Sequence, residues 1–226
     1  MGALIIYDFD GVIADSEVLA NTVLAEIVTE LGVPTTLEDS YRLYMGKRFV
    51  DVIAAVESSV GRPLPSSFAS DYQARTLERF RRDLRFVDGA RDYIDAFAHL
   101  PRCIASSSSP DRLALCLEVL DLRAAFSTHV FSASAVPRGK PDPDIFFHAA
   151  KQMGRAPADC IVIEDSASGV TAGVAAGMTV IGLLAAKHIQ AGHRERLASA
   201  GAHHVAGTFK EAEIITRRLL AARASP

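Results

Sequence analysis

The sequence predicts an α/β fold: a doubly wound parallel sheet with a small helical domain inserted after its first strand. Three observations carry that expectation. Apolar runs at residues 3–7, 103–105, 130–131, 160–163 and 178–184 are short and continuous, as in strands covered on both faces. Helical patterns at 111–120, 144–153, 166–176 and 211–222 separate or follow those runs, which argues for crossover connections and a parallel sheet. Residues 8–102, by contrast, hold no convincing strand.

Taken in order, the run at 3–7 feeds directly into Asp8. Leu19, Val23, Ile27 and Leu31 then recur every fourth residue, one face of a helix that Gly32 stops. Residues 37–45 read as a shorter helix with a weaker pattern. Phe49, Ile53, Val56 and Val60 repeat the helical spacing up to Gly61. Pro63 and Pro65 punctuate before Phe68, Tyr72 and Phe80 mark a third helical stretch. Asp88-Gly89 starts a helix that returns the chain to the sheet. The expected organisation is an α/β core from residues 1–14 and 86–226, with a helical cap from 15–85.

Composition narrows the function classes. Apolar residues make up 49% and charged ones 23%, a globular balance that excludes a disordered chain. Lys and Arg number 24 against 27 Asp and Glu, which argues against a nucleic-acid binder relying on a basic surface. No apolar run approaches the ~20 residues that span a bilayer. The run at 3–7 is too short for a signal peptide. Cys103, Cys116 and Cys160 are odd in number and lack C-x-x-C spacing. That argues against disulfides or zinc and for a reducing cytoplasm.

The chemistry gathers at strand ends. Asp8-Phe9-Asp10-Gly11-Val12 follows the first strand, and positions two apart in an extended chain share a face. Asp8 and Asp10 would meet at a strand's carboxyl end, where open α/β sheets bind ligands. Alone, the pair could equally be solvated loop acids. The second strand runs into Ser106-Ser107-Ser108-Ser109-Pro110, where Ser109 suits an N-cap and Pro110 the first helical position. Hydroxyls and free N–H groups at a helix start suit an anion, or simply make a Ser-rich turn. Glu164-Asp165-Ser166 opens another helix, which acids favour in any case. Lys140 precedes a further helix in Gly139-Lys140-Pro141-Asp142-Pro143. Together these ends suit a divalent cation and a phosphoryl group.

These motifs resemble, in order and over nearly the whole chain, those of the haloacid dehalogenase-like superfamily. Asp8-Phe9-Asp10-Gly11-Val12, continuing to Asp15-Ser16-Glu17, is similar to the first motif; Ser106 matches the second and Lys140 the third. Glu164-Asp165 with Ser166-Ala167-Ser168-Gly169 is similar to the fourth. The insert's place resembles the subgroup of β-phosphoglucomutase and many sugar phosphatases. The resemblance implies a Rossmann-like core under a helical cap that closes as a lid. It implies a phosphatase in which Asp8 is the nucleophile, Asp10 the acid and base, and Ser106, Ser107 and Lys140 hold the phosphoryl group. Mg²⁺ would be held by Asp8, Asp165 and the backbone carbonyl of Asp10, with Glu164 a further ligand or standing behind one.

Lys47 and Arg48, in a turn between two helical stretches, and Glu17 are the cap residues expected to reach substrate; each could instead be an ordinary surface or helix-start charge. Arg75, Arg79, Arg81, Arg82 and Arg85 read as a solvated helix face. His203-His204 would face opposite ways in an extended segment, against a metal role. The expected partner is a small phosphorylated metabolite, with no nucleic acid, no membrane and a monomeric chain. Three alternatives compete. A sugar-phosphate mutase would share Asp8, but the related mutases carry a histidine where this chain has Ala20, and no other His precedes His99. A dehalogenase lacks the second aspartate that Asp10 supplies. A phosphorylated switch domain has no helical insert after its first strand.

Overall fold

The computed structural model describes residues 2–45, 47 and 49–224. Along the chain run β1 (Leu4–Tyr7), α1 (Ser16–Glu30), α2 (Leu37–Leu43), α3 (Phe49–Val60), α4 (Phe68–Asp83) and α5 (Ala90–Ala96). Then follow β2 (Arg102–Ser106), α6 (Pro110–Val119), α7 (Arg123–Phe126), β3 (Val130–Ser132), α8 (Asp144–Gln152), β4 (Cys160–Glu164) and α9 (Ala167–Ala175). Last come β5 (Thr179–Leu183), α10 (His193–Ser199), β6 (His204–Ala206) and α11 (Phe209–Ala224). The chain divides into two compact units, residues 1–15 with 85–226, and residues 16–84.

In the first unit six parallel strands run in the order β3-β2-β1-β4-β5-β6. The direction of winding reverses between β1 and β4, so a crevice opens beyond their carboxyl ends. Residues alternate between faces along β1. Leu4 and Ile6 join Ile145, Phe146, Ala149 and Val170 in a core under α8 and α9. Tyr7 points the other way, edge-on to Tyr93 and Phe126. Tyr93 in turn packs on Phe97 and Phe209, so aromatic rings from α5 and α11 fill that layer. Gly173 fits α9 closely against Val180 of β5, whereas Gly177 lies beyond the helix in a left-handed conformation and ends it.

The five expected strands are present, with ends shifted by a residue or two. The sixth, β6, lies at the sheet edge and begins with exposed His204; it is too short and polar to give an apolar run. His203 is fixed by the sheet, its Nδ1 accepting the Val180 N–H at 3.1 Å.

In the second unit Val23, Leu24, Ile27 and Val28 of α1 pack with Tyr44, Val52, Val56 and Phe68. Phe49 stacks on Phe68 and Tyr72. Thr36 caps α2 in a capping box with Asp39. Two arginines depart from the expected solvated face. Arg75 pairs with Glu30 at 2.6 Å and Arg79 with Glu26 at 2.9 Å, so both tie α4 to α1. Their exposure keeps each pair's contribution small, ~0–1 kcal/mol.

Cys103, Cys116 and Cys160 are buried free thiols. Among the described residues no helix is long and apolar enough to cross a membrane.

Candidate active site

The register of the central strands assembles the site. Asp8 donates its backbone N–H to the Ile163 carbonyl at 3.0 Å, which sets it beside Glu164 where β1 and β4 end. On the other side Tyr7 pairs with Ile104, so Asp8 also stands next to the end of β2. Lys140, from the segment before α8, enters between them. Its Nζ lies 2.6 Å from Asp8 Oδ1, 2.6 Å from Glu164 Oε1 and 3.1 Å from the Ala105 carbonyl, which uses all three ammonium protons. The ammonium also lies 5.1 Å from the centre of the Phe146 ring.

Glu164 is fully buried. Its second oxygen accepts from Ser166 N at 2.8 Å and Ser166 Oγ at 2.9 Å, at the start of α9. A side chain at Gly169 would overlap that carboxylate, so the helix needs glycine there. Asp165, the next residue, brings a carboxylate oxygen within 4.8 Å of those of Asp8 and Glu164. Gly11 turns the chain after β1 with φ +79°, and a Cβ there would overlap the Asp165 carboxylate.

Electrostatics follow from burial. Burial pushes the Asp8 carboxyl well above the usual carboxylate range, Lys140 pulls it back, and Glu164, Asp165 and Asp10 push it further up. For Lys140 burial works against the charge, but Asp8 and Glu164 outweigh it and hold the ammonium above its ordinary range. Three carboxylates against one ammonium leave two formal negative charges on this cluster. Hard oxygen donors with that surplus fit a divalent cation such as Mg²⁺.

Asp10 occupies a different corner. Arg112 Nη2 donates to its Oδ1 at 2.5 Å and Ser108 Oγ to its Oδ2 at 2.6 Å. The Asp10 carboxylate is not one of the clustered three, while the expected cation contact from that position is its backbone carbonyl. Ser106 is buried and accepts the Ser108 N–H at 3.1 Å. Ser107 is exposed, and it is Ser108 that reaches Asp10.

The remaining expected residues belong to the second unit. Glu17 accepts from Asn21 Nδ2 at 3.3 Å on its own helix, and Lys47 is exposed. Arg48 lies outside the described residues, as does Gly46 on the other side of Lys47.

Sequence analysis took in Ser108 only as part of its Ser-rich turn and missed Arg112, His188 and His193. Arg112 is in the first turn of α6 that Ser109 caps, so it is held at the carboxyl edge of the sheet. His188 follows β5 on that same edge, its Nε2 3.2 Å from Asp165 Oδ2. His193 Nε2 lies 2.5 Å from the Asp165 carbonyl. Surveying every polar residue beyond the strand ends, rather than the acidic pairs, the Ser-rich turn and Lys140 alone, would have found these three.

The family model described as haloacid dehalogenase-like hydrolase matches residues 5–183. The chain is 29% identical to the 6-phosphogluconate phosphatase of Escherichia coli strain K12 over 185 residues, 81% of this chain and 83% of that protein. A solved haloacid dehalogenase-like protein of unknown function from Agrobacterium tumefaciens is 35% identical, with a TM-score of 0.85 and 100% of both chains covered. A hydrolase of that family from Deinococcus radiodurans, solved with bound phosphate and sodium, is 30% identical over 97% of each chain, with a TM-score of 0.80.

Proposed function

The chain belongs to the haloacid dehalogenase-like hydrolases, and from that premise we propose that it is a Mg²⁺-dependent phosphatase. Its substrate is a small phosphorylated metabolite, a sugar or sugar-acid phosphate, cleaved through an aspartyl-phosphate on Asp8. The observation that carries this reading is the buried Lys140 bridging Asp8 and Glu164 at 2.6 Å each, with Asp165 in the same cluster. The E. coli relative, a 6-phosphogluconate phosphatase, supports the substrate class.

Asp8 attacks phosphorus with one carboxylate oxygen while the bond to the substrate's alcohol oxygen breaks. Asp10 gives that oxygen its proton, then takes one from the water that attacks the acyl phosphate. Phosphate departs and both carboxylates return to their starting state. Lys140 pulls the buried Asp8 carboxyl back toward its ionised form and offers positive charge to the phosphoryl oxygens. Ser106 and neighbouring N–H groups at the start of α6 receive those oxygens. Asp8, Asp165 and the Asp10 carbonyl would hold Mg²⁺, with Glu164 behind them; the cation supplies charge neutralisation for an anionic substrate. Residues 16–84 serve as the cap, with Glu17, Lys47 and Arg48 its candidate contacts to substrate. The protein acts as a cytoplasmic monomer without nucleic acid or membrane.

A phosphate-release screen over sugar, sugar-alcohol and sugar-acid phosphates with Mg²⁺ tests the reading. Release from at least one member of this group, lost in Asp8→Asn, is expected. No release from any phosphomonoester would overturn it.

A further inference from the structure

The segment 184–192 between β5 and α10 contributes nothing to the mechanism above, yet it and the start of α10 surround Asp165. His188 is buried, with Nε2 3.2 Å from Asp165 Oδ2. His193 Nε2 lies 2.5 Å from the Asp165 carbonyl oxygen. Arg196 Nη2 lies 2.7 Å from His193 Nδ1. A guanidinium only donates, so Nδ1 accepts and the neutral ring carries its proton on Nε2. His193 therefore donates to the carbonyl of Asp165. The segment's other end is fixed too: Lys187 donates its backbone N–H to Asp15 Oδ1 at 3.3 Å, and its Nζ lies 3.5 Å from Asp15 Oδ2. Beneath them, a Cβ on Gly11 would come within 2.9 Å of His188 Cε1 as well as overlapping Asp165.

We propose that His188 and His193 are positioning residues that fix the carboxylate and the carbonyl of Asp165 and so set the affinity of the acidic cluster for a divalent cation. A donor on one carboxylate oxygen fixes the side-chain rotation of Asp165, and a donor on its carbonyl fixes the backbone from which that side chain starts. Partners of this kind orient ligands that would otherwise sample several rotamers. The inference rests on the metal-dependent reading of the site.

The test is Mn²⁺ binding followed by electron paramagnetic resonance of the free ion, on protein stripped with chelator and dialysed, beside circular-dichroism melts. His188→Gln places an amide N–H near the position of Nε2; His188→Asn keeps polarity but ends short of Asp165. The expected result is at least about tenfold weaker Mn²⁺ binding in His188→Asn and recovery to within about threefold of wild type in His188→Gln. Equal affinity in wild type and both variants overturns the proposal, as does an equal loss in both, which would mark a merely structural role. The exposed Arg196→Met carries the test if the His188 variants do not fold. It should weaken Mn²⁺ binding measurably without lowering the melting temperature, and unchanged affinity there overturns the part assigned to His193. Failure of the wild type to bind Mn²⁺ would sink the metal-dependent reading itself.

Discussion

Arg112 Nη2 donates to Asp10 Oδ1 at 2.5 Å, across 102 positions of sequence. With Ser108 Oγ on the second oxygen, the Asp10 carboxylate is oriented from two sides. Both partners come from the first residues after β2, so in the proposed mechanism this strand end would orient the acid as well as supply donors for the phosphoryl group.

Arg112→Met should therefore lower kcat about 10–100-fold, a loss of about 1.4–2.8 kcal/mol, with a smaller change in KM. An acid that rotates freely protonates the leaving oxygen less often, whereas ground-state binding of the phosphate relies on Lys140 and the helix start. Arg112→Lys should recover part of the loss, because an ammonium keeps the positive charge beside Asp10 but lacks the rigid planar donor that fixes its angle. Steady-state kinetics on the best substrate decides; unchanged kcat in Arg112→Met would mean that the ion pair has no bearing on Asp10.

Asp8→Asn should abolish turnover, with kcat reduced by more than about a thousandfold, or ~4 kcal/mol. It should also stabilise the metal-free protein. The sign follows from linkage: a carboxyl whose folded pKa lies above its unfolded value binds more protons in the folded state. Its stabilising share is full below the unfolded value and is lost as pH rises through the folded one. At neutral pH, where the unfolded carboxyl is ionised, burying Asp8 thus burdens the fold in the absence of a cation. In excess chelator at pH 7, Asp8→Asn should melt higher than wild type, by about 2–4 °C for each kcal/mol relieved. A lower melting temperature would mean that the Lys140 contact outweighs burial and like-charge repulsion.

Metal removal should act on both activity and stability. Chelated, dialysed protein is expected to release no phosphate, and Mg²⁺ should restore release. Mg²⁺ at ~100 times its dissociation constant should stabilise wild type by about 2.7 kcal/mol. The gain should shrink in Asp8→Asn, which lacks one charged ligand. Full activity in excess chelator would remove the cation from the mechanism.

How far the sequence foretold this site depends on what each residue must bury. β1, β2, β4 and β5 were legible because both faces are covered and nearly every residue is apolar. Asp8, Lys140, Glu164 and Asp165 were legible only as a set: each alone is an ordinary loop or helix-start charge, but together at successive strand ends, in that order, they resemble the family's motifs. β6 was not, because an edge strand of three residues beginning with His204 leaves no such trace. Arg112 and His188 were not, because their meaning lies in partners roughly a hundred and more than twenty positions away, and that pairing depends on strand register.

The choice between hydrolysis and phosphoryl return to a sugar gives the last prediction. Both reactions share the aspartyl-phosphate on Asp8 and differ in what accepts the phosphoryl group next. A mutase must keep water away from that intermediate until a sugar hydroxyl is in place. The related mutases use a histidine at the position of Ala20 to couple proton transfer to the bound sugar, and an alanine methyl group moves no proton. Asp10, already oriented by Arg112 and Ser108, then has water as its natural partner. Phosphate release should need no bisphosphate primer, and a hexose 1-phosphate should give little hexose 6-phosphate. Ala20→His alone should not create a mutase, because a bisphosphate must also fit in both orientations. Free phosphate and hexose 6-phosphate are measured together, with and without primer. Primer-dependent hexose 6-phosphate forming much faster than free phosphate would overturn hydrolysis and establish the mutase in its place.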